Sequence, residues 1–292
     1  MAEITANMVR DLRERTSLGM MECKKALVEA HGDLEKAVEI LRIKSGAKAD
    51  KASSRVAAEG VIGLYVAPDA RLAAMVEINC ETDFVAKNEE FLAFAQELAE
   101  KVARGNPVDL DALARLPAGG GTVETKRQEL VQRIGEKMAV RRFHRVATTA
   151  KVASYVHGSR IGVLVEFEGD EAAGKDVAMH VAFAKPQFLS RDQVDPTVIE
   201  KEREILMARA KESGKPADIV ARMVDGGISK FLGEITLLDQ PFVKDDKQTV
   251  EKALAARKSK IRDYRFFVVG EGIEKKVTDF ASEVQAQIGQ AR

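Results

Sequence analysis

The chain has 292 residues, of which 45% are hydrophobic and 32% charged, enough for about two domains with buried cores. Lys plus Arg equals Asp plus Glu at 46 each, so the basic excess typical of a phosphate-gripping nucleic-acid binder is missing and no direct nucleic-acid contact is expected. No run approaches the roughly 18 apolar residues of a membrane span, and MAEITANMVRDLRERT lacks the apolar core of a signal peptide, so a cytoplasmic protein off the membrane is expected.

Tryptophan is absent and aromatics are 5% of the chain, which argues against base-stacking platforms. The two cysteines, Cys23 and Cys80, form no CxxC pair, so neither a disulfide framework nor a metal site is expected.

Residues 1–45 read as three short helices. Ile4, Met8 and Leu12 share one face, and Thr16-Ser17-Leu18-Gly19 interrupts the pattern. Met20 to Ala30 carries Cys23, Leu27 and Ala30 inward. Gly32 suits the left-handed position after a helix, and Asp33 caps a third helix with Leu34, Ala37, Val38 and Leu41. Lys36 stands where Glu or Gln would complete a capping box. Residues 46–58, small and basic, read as an exposed linker with some helix.

Strands are predicted from Gly60 to Ala67 and Arg71 to Asn79, with Pro68-Asp69 turning between them. Asn88 caps a helix to about Ala103 with Phe91, Phe94, Ala95, Leu98 and Val102 inward. Asp109 to Thr122, with Gly119-Gly120-Gly121, reads as a loose surface excursion, and helix resumes from Val123 to Met138. RLAAMVEIN from Arg71 aligns with RIGVLVEFE from Arg160. Each follows a strand and turn and precedes a helix, the second being Asp176 to Ala184. The fold class is therefore α+β, with a core of two related antiparallel-strand/helix halves, 59–150 and 151–189 with 232–273.

Residues 190–231 leave this pattern. Val198, Ile199, Ile205 and Leu206 mark one helix, and Ile219, Val220, Met223 and Val224 another. Gly214-Lys215-Pro216 turns between them, giving an inserted antiparallel hairpin. Strands from Ile235 to Leu238 and Arg265 to Val269 flank a helix from Thr249 to Arg257. Residues 274–292 read as a terminal amphipathic helix with Val277, Phe280, Ala281, Val284 and Ile288.

Motif searches for chemistry fail: there is no GxSxG, HExxH, P-loop or post-strand GxGxxG. Cys80 is more simply a small buried hydrophobe than the nucleophile of a Cys80/His157 hydrolase. His180 reads as a helix-face or core histidine, and His144, among arginines, as solvated. The segment INCETDFVAKNEEF is unusual, because the strand ends at Asn79 while the next cap is Asn88. Thr82, Asp83, Phe84 and Val85 fill the short loop between them. Either Phe84 and Val85 fill the core while Asp83 caps a turn, or the acid and the aromatic are presented to another surface. Burial statistics favour the first.

TDFVAKN after a strand, with GMMECKKAL before it, resembles the bacterial elongation factor Ts family. RIGEKMAVRR, YVHGSRIGVL, HVAFAKPQFL, SGKP and QPF follow in the same order. The departures are the 110–122 excursion and scattered surface residues. The resemblance implies a guanine nucleotide exchange factor in translation elongation, without covalent chemistry or cofactor of its own. It would act on GDP, GTP and magnesium held by its partner, elongation factor Tu. It implies that Asp83 and Phe84, with Thr82 and Val85, intrude on the partner and dislodge magnesium. Met20, Met21, Lys24, Ile134, Gly135 and His157 become further partner contacts. The hairpin becomes a coiled-coil-like homodimerisation insert, 1–45 a ubiquitin-associated-type bundle, and 274–292 a C-terminal module touching the partner. A scaffold protein whose bundle binds a peptide or ubiquitin-like partner is the competing reading.

Overall fold

A computed structural model describes residues 4–212, 214 and 216–274. It is a mixed α/β architecture whose residues gather into two compact units. The first comprises 4–63, 76–143 and 268–274, and the second Leu64–Met75 and His144–Phe267. The predicted helix over 274–292 lies outside the described residues apart from Glu274.

The first unit opens with α1 (Ala6–Thr16), α2 (Met20–Glu29) and α3 (Leu34–Ala52). Thr5 caps α1 by accepting from the Met8 N–H, and Asp33 caps α3 by accepting from Lys36. Val9, Leu12, Leu18, Cys23, Ala26, Leu27, Ala37 and Leu41 form their shared core. The expected linker over 46–58 is corrected here. α3 continues to Ala52, burying Ser45, Ala49 and Ala52. Alanines at those spacings carry too weak a hydrophobic signal to read as a face, yet their small size lets α3 lie close to a later helix.

Strands β1 (Glu59–Val66) and β2 (Leu72–Cys80) follow as expected. Next come α4 (Asp83–Ala86) and α5 (Glu89–Gly105). Asn88 Oδ1 caps α5 by accepting from the N–H groups of Glu90 and Phe91. A Cβ on Gly63 would stand 2.1 Å from the Ala95 carbonyl oxygen. Only glycine lets α5 approach β1 that closely.

The 109–122 excursion is structured, which overturns the loop reading. Asp109 caps α6 (Leu110–Arg115), whose Leu113 is buried, and β3 (Pro117–Ala118) pairs antiparallel with β4 (Gly121–Thr122). The glycine run supplies the turn, with Gly119 and Gly120 at positive φ. Thr122 then caps α7 (Val123–Ile134). α7 stops at Gly135 rather than running to Met138, because Gly135 takes the left-handed conformation, φ 91°. Met138 opens β5 (Met138–Ala147), and the sheet order is β1-β2-β5.

The second unit holds β6 (Lys151–His157), β7 (Ile161–Glu168) and α8 (Glu171–Ala184). β6 pairs antiparallel with β7, from Lys151 opposite Phe167 to His157 opposite Ile161. α8 begins five residues before the expected Asp176, capped by Asp170 Oδ1 from the Ala172 N–H. Gly174 inside its first turn masked the helical signal. α9 (Pro196–Glu212) and α10 (Ala217–Ile235) form the expected hairpin, with a core of their own around Val220, Val224, Ile228 and Leu232.

α10 absorbs Ile235, so the strand expected over Ile235 to Leu238 is instead a helix end followed by a 3-10 turn at Leu237–Asp239. β8 (Pro241–Phe242) and β9 (Asp245–Thr249) make a small irregular hairpin. Thr249 caps α11 (Val250–Ala256), and β10 (Lys260–Val268) completes the order β10-β7-β6. The repeated sequences thus become β2 and β7, each the centre of a three-stranded sheet. His180 is buried; its Nε2 bonds Gln240 Oε1 at 2.9 Å, and its Nδ1 accepts from the Val243 N–H at 3.2 Å. His144 is half-buried rather than solvated, and burial with the nearby Arg265 charge pushes its pKa down.

Candidate functional site: an anchored, aromatic-tipped turn

The loop expected over Thr82 to Asn88 is a single turn of helix, α4, followed directly by α5. Thr82 Oγ1 accepts from the Val85 N–H at 3.4 Å, so the threonine is an N-cap. The turn splits its two large apolar residues. Val85 is buried, while Phe84 is 81% exposed. The core-filling reading therefore holds for Val85 and fails for Phe84. Asp83 is also exposed and accepts from Lys87 Nζ at 2.8 Å. That hydrogen bond and the ammonium's charge hold its carboxyl below the usual aspartate range.

The turn is fixed from below by a residue that sequence reasoning left unassigned. Glu136 accepts twice from Thr82, from the backbone N–H at 3.0 Å and from Oγ1 at 2.6 Å. One carboxylate thus holds both the peptide and the capping hydroxyl, and charged hydrogen bonds of this kind are the strong ones. Glu136 lies in RIGEK, directly after the glycine that ends α7, and that motif was the signal available. Neighbouring bonds brace the same corner. Glu81 Oε1 accepts from the Lys137 N–H at 2.6 Å and from Arg55 Nη1 at 3.1 Å. Arg55 Nη1 also donates to the Gly135 carbonyl at 3.2 Å, and Arg133 Nη2 to Glu90 at 2.5 Å.

Ile134 is half-buried and Gly135 exposed at the end of α7, so Glu136 places both beside the α4 turn. Met20 and Met21 are 58% and 64% exposed at the start of α2, and Lys24 is exposed one turn on. Lys48 Nζ ties this helix to the same region, donating to the Gln132 carbonyl at 2.9 Å and reaching Glu22 at 3.4 Å. His157 belongs to the second unit. It is exposed at the end of β6, with Nδ1 3.1 Å from Tyr155 Oη.

Among the described residues no group of His, Cys, Asp and Glu is placed to hold a metal ion, and no helix is long and apolar enough to cross a membrane. Cys80 is buried, its Sγ donating to the Thr82 carbonyl at 3.2 Å. The site therefore offers a rigid, protruding ring and carboxylate rather than an enclosed reaction chamber.

Glu136→Gln tests the clamp. A glutamine can still accept from the Thr82 N–H, but its NH2 can only donate to Oγ1, so the hydroxyl's bond is reversed and both contacts lose the carboxylate charge. We expect a local loss of about 1.5–3 kcal/mol, read as faster amide hydrogen exchange across 82–86. Unchanged protection there would contradict the clamp.

Residues 81–271 match the family model described as "Elongation factor TS". The chain is 58% identical over 286 residues to "Elongation factor Ts" of Bordetella petrii, covering 98% of each chain. It is 58% identical over 293 residues to that of Burkholderia multivorans, covering 100% of this chain and 99% of the relative. It is 57% identical over 286 residues to that of Chromobacterium violaceum, covering 98% and 99%. With a family model matching residues 81–271 and relatives at 57–58% identity along almost its entire length, this chain belongs to the elongation factor Ts family.

Proposed function

We propose that the chain is a guanine nucleotide exchange factor of translation elongation. It binds elongation factor Tu in its GDP form and loosens the magnesium and phosphate site, so that GDP leaves and GTP enters. The observation that carries this reading is the exposure of Phe84, at 81%, on a turn that Glu136 holds in place. A large ring left in water on a rigid support is suited to burial in a partner.

Magnesium requires near-ideal octahedral geometry and keeps few protein ligands, so a small displacement of supporting elements weakens it. Phe84 acts as the wedge and Asp83 as its charged companion. A nucleotide held at nanomolar affinity is bound by about 12 kcal/mol. Burying one ring contributes only about 1.5–3 kcal/mol. The rest comes from a wider interface, to which Met20, Met21, Lys24, Ile134, Gly135 and His157 contribute. The N-terminal helices act as a ubiquitin-associated-type docking module.

Coupling between nucleotide and factor is reciprocal. GDP must weaken the factor's grip on elongation factor Tu by the same factor by which the factor weakens GDP. Titration calorimetry of nucleotide-free and GDP-loaded elongation factor Tu with this chain measures that ratio. Equal affinity for the two forms would contradict exchange activity and leave a plain binding role.

The α9–α10 hairpin serves self-association in this reading. Val198 and Ile205 on α9 and Ile219 and Met223 on α10 are partly exposed apolar residues at helical spacing, and the hairpin carries its own core. The chain enters and leaves it side by side, the Gln187 and Phe188 N–H groups both donating to the Ile235 carbonyl. Replacing residues 190–234 by a short Gly–Ser linker is expected to lower self-association while leaving exchange largely intact. Sedimentation velocity decides it, and an unaltered oligomeric state would count against the hairpin's role.

A further inference from the structure

Between the N-terminal helices and α7 lies a cleft of about 160 Å³, lined by Arg15, Arg42, Arg133, Glu129, Gln132 and Leu18 among others. Three helices, α1, α3 and α7, each bring one guanidinium to it. Arg15 and Arg42 stand outside the exposed turn and its bracing bonds, while Arg133 also reaches Glu90 at that corner.

Each arginine has one carboxylate neighbour and donors to spare. Arg15 Nη1 bonds Glu35 at 2.8 Å, and Arg133 Nη2 bonds Glu90 at 2.5 Å. Arg42 Nε lies 3.7 Å from Glu129, beyond hydrogen-bond range. A guanidinium carries five N–H donors, so these contacts leave most of them over. One is conspicuous: Arg133 Nε is buried without a hydrogen-bond partner, alone in that respect among the described side chains. Buried donors are almost always satisfied, and an orphan asks for an explanation.

We propose that the cleft binds a small phosphate-type oxyanion. A planar carboxylate matches one guanidinium fork, whereas a tetrahedral, multiply charged group accepts from donors arriving along several directions. Leu18, Leu41 and Gln132 are all buried at the cleft, which limits water and strengthens charged hydrogen bonds there. Glu129 is the built-in competitor: it opposes an entering anion and is held loosely enough to yield. The oxyanion is inorganic phosphate or the diphosphate end of a nucleotide.

The test is titration calorimetry of the full chain with potassium phosphate, against potassium chloride at equal ionic strength, and separately with GDP. Saturable heat with phosphate and not with chloride is expected. Arg133→Gln should weaken binding about tenfold, and Arg42→Gln by a similar factor. Glu129→Gln, which removes the competitor, should strengthen it about threefold. Tighter binding of GDP than of phosphate assigns the site to a nucleotide, and equal or weaker binding to free phosphate. Thermal melting of each variant checks that the fold is kept. The proposal is overturned if the parent gives no phosphate-specific heat, or if folded Arg133→Gln and Arg42→Gln both bind as the parent does.

Discussion

Phe84→Ala is expected to slow factor-stimulated GDP release from elongation factor Tu by about tenfold to a hundredfold, the equivalent of the roughly 1.5–3 kcal/mol of ring burial removed. The melting temperature should stay within about a degree, because a ring that is 81% exposed contributes little to its own chain's core. That pairing separates a wedge from a structural residue. Binding of nucleotide-free elongation factor Tu should fall less than release does. A variant that releases GDP at the parent rate contradicts the wedge. A variant that unfolds more easily contradicts the placement of the ring. Val85→Ala is the internal control. Val85 is buried beneath the same turn, so its truncation should lower stability by about 1–3 kcal/mol through lost packing.

Glu77→Gln is expected to produce the largest stability loss. Glu77 sits on β2, fully buried, where it accepts from Arg142 Nε at 2.5 Å, Arg141 Nη1 at 3.1 Å, Asn79 Nδ2 at 3.1 Å and the Gly270 N–H at 2.8 Å. Arg142 continues to the Val268 carbonyl and the Glu271 carboxylate. One carboxylate thereby fastens residues 268–271 to β2 and β5. Removing one member of a buried, hydrogen-bonded charge pair costs about 3–5 kcal/mol, because the remaining charges lose their counterpart. At this chain length that is a fall of roughly 6–20 °C in melting temperature.

The pH dependence has a definite sign. Burial alone would raise the Glu77 pKa. The Gly270 N–H and the two guanidinium groups outweigh it, and the net shift is downward from 4.5. A carboxyl depressed on folding stabilises above its unfolded pKa and loses that contribution as pH falls through its folded value. The gap between parent and Glu77→Gln should therefore be full at pH 7 and narrow below about pH 4.5. Urea unfolding at pH 7 and below pH 4 measures both. A gap that is constant across that range contradicts a charge-based anchor.

The strands and most helices were readable from sequence because their signals are local. Apolar runs bounded by Pro68-Asp69 gave β1 and β2, and Asn88 marked the start of α5. The alignment of RLAAMVEIN with RIGVLVEFE located the centres of both sheets. Failures occurred where the deciding interaction is tertiary or the signal is weak. Ala49 and Ala52 read as linker because their burial depends on packing rather than on side-chain hydrophobicity. Gly135 ended α7 through backbone conformation alone. The two-residue strands β3 and β8 are too short to carry periodicity.

The site divides the same way. Phe84 could not be placed by composition, since a phenylalanine in a loop is buried more often than not. Its outward position follows from Thr82, which caps α4, and from Glu136, 54 residues away in the chain, which holds Thr82. Such a long-range bond leaves no periodic trace. The family motif carried the information instead, since TDFV and RIGE contain the two halves of the clamp.

Stopped-flow release of a fluorescent GDP analogue from elongation factor Tu, with and without this chain, tests the central claim most directly. Acceleration of at least about a hundredfold at saturating chain is expected, corresponding to roughly 2.7 kcal/mol of coupling. Release at the spontaneous rate, with the complex demonstrably formed, would contradict exchange and reduce the anchored Phe84 turn to a binding feature.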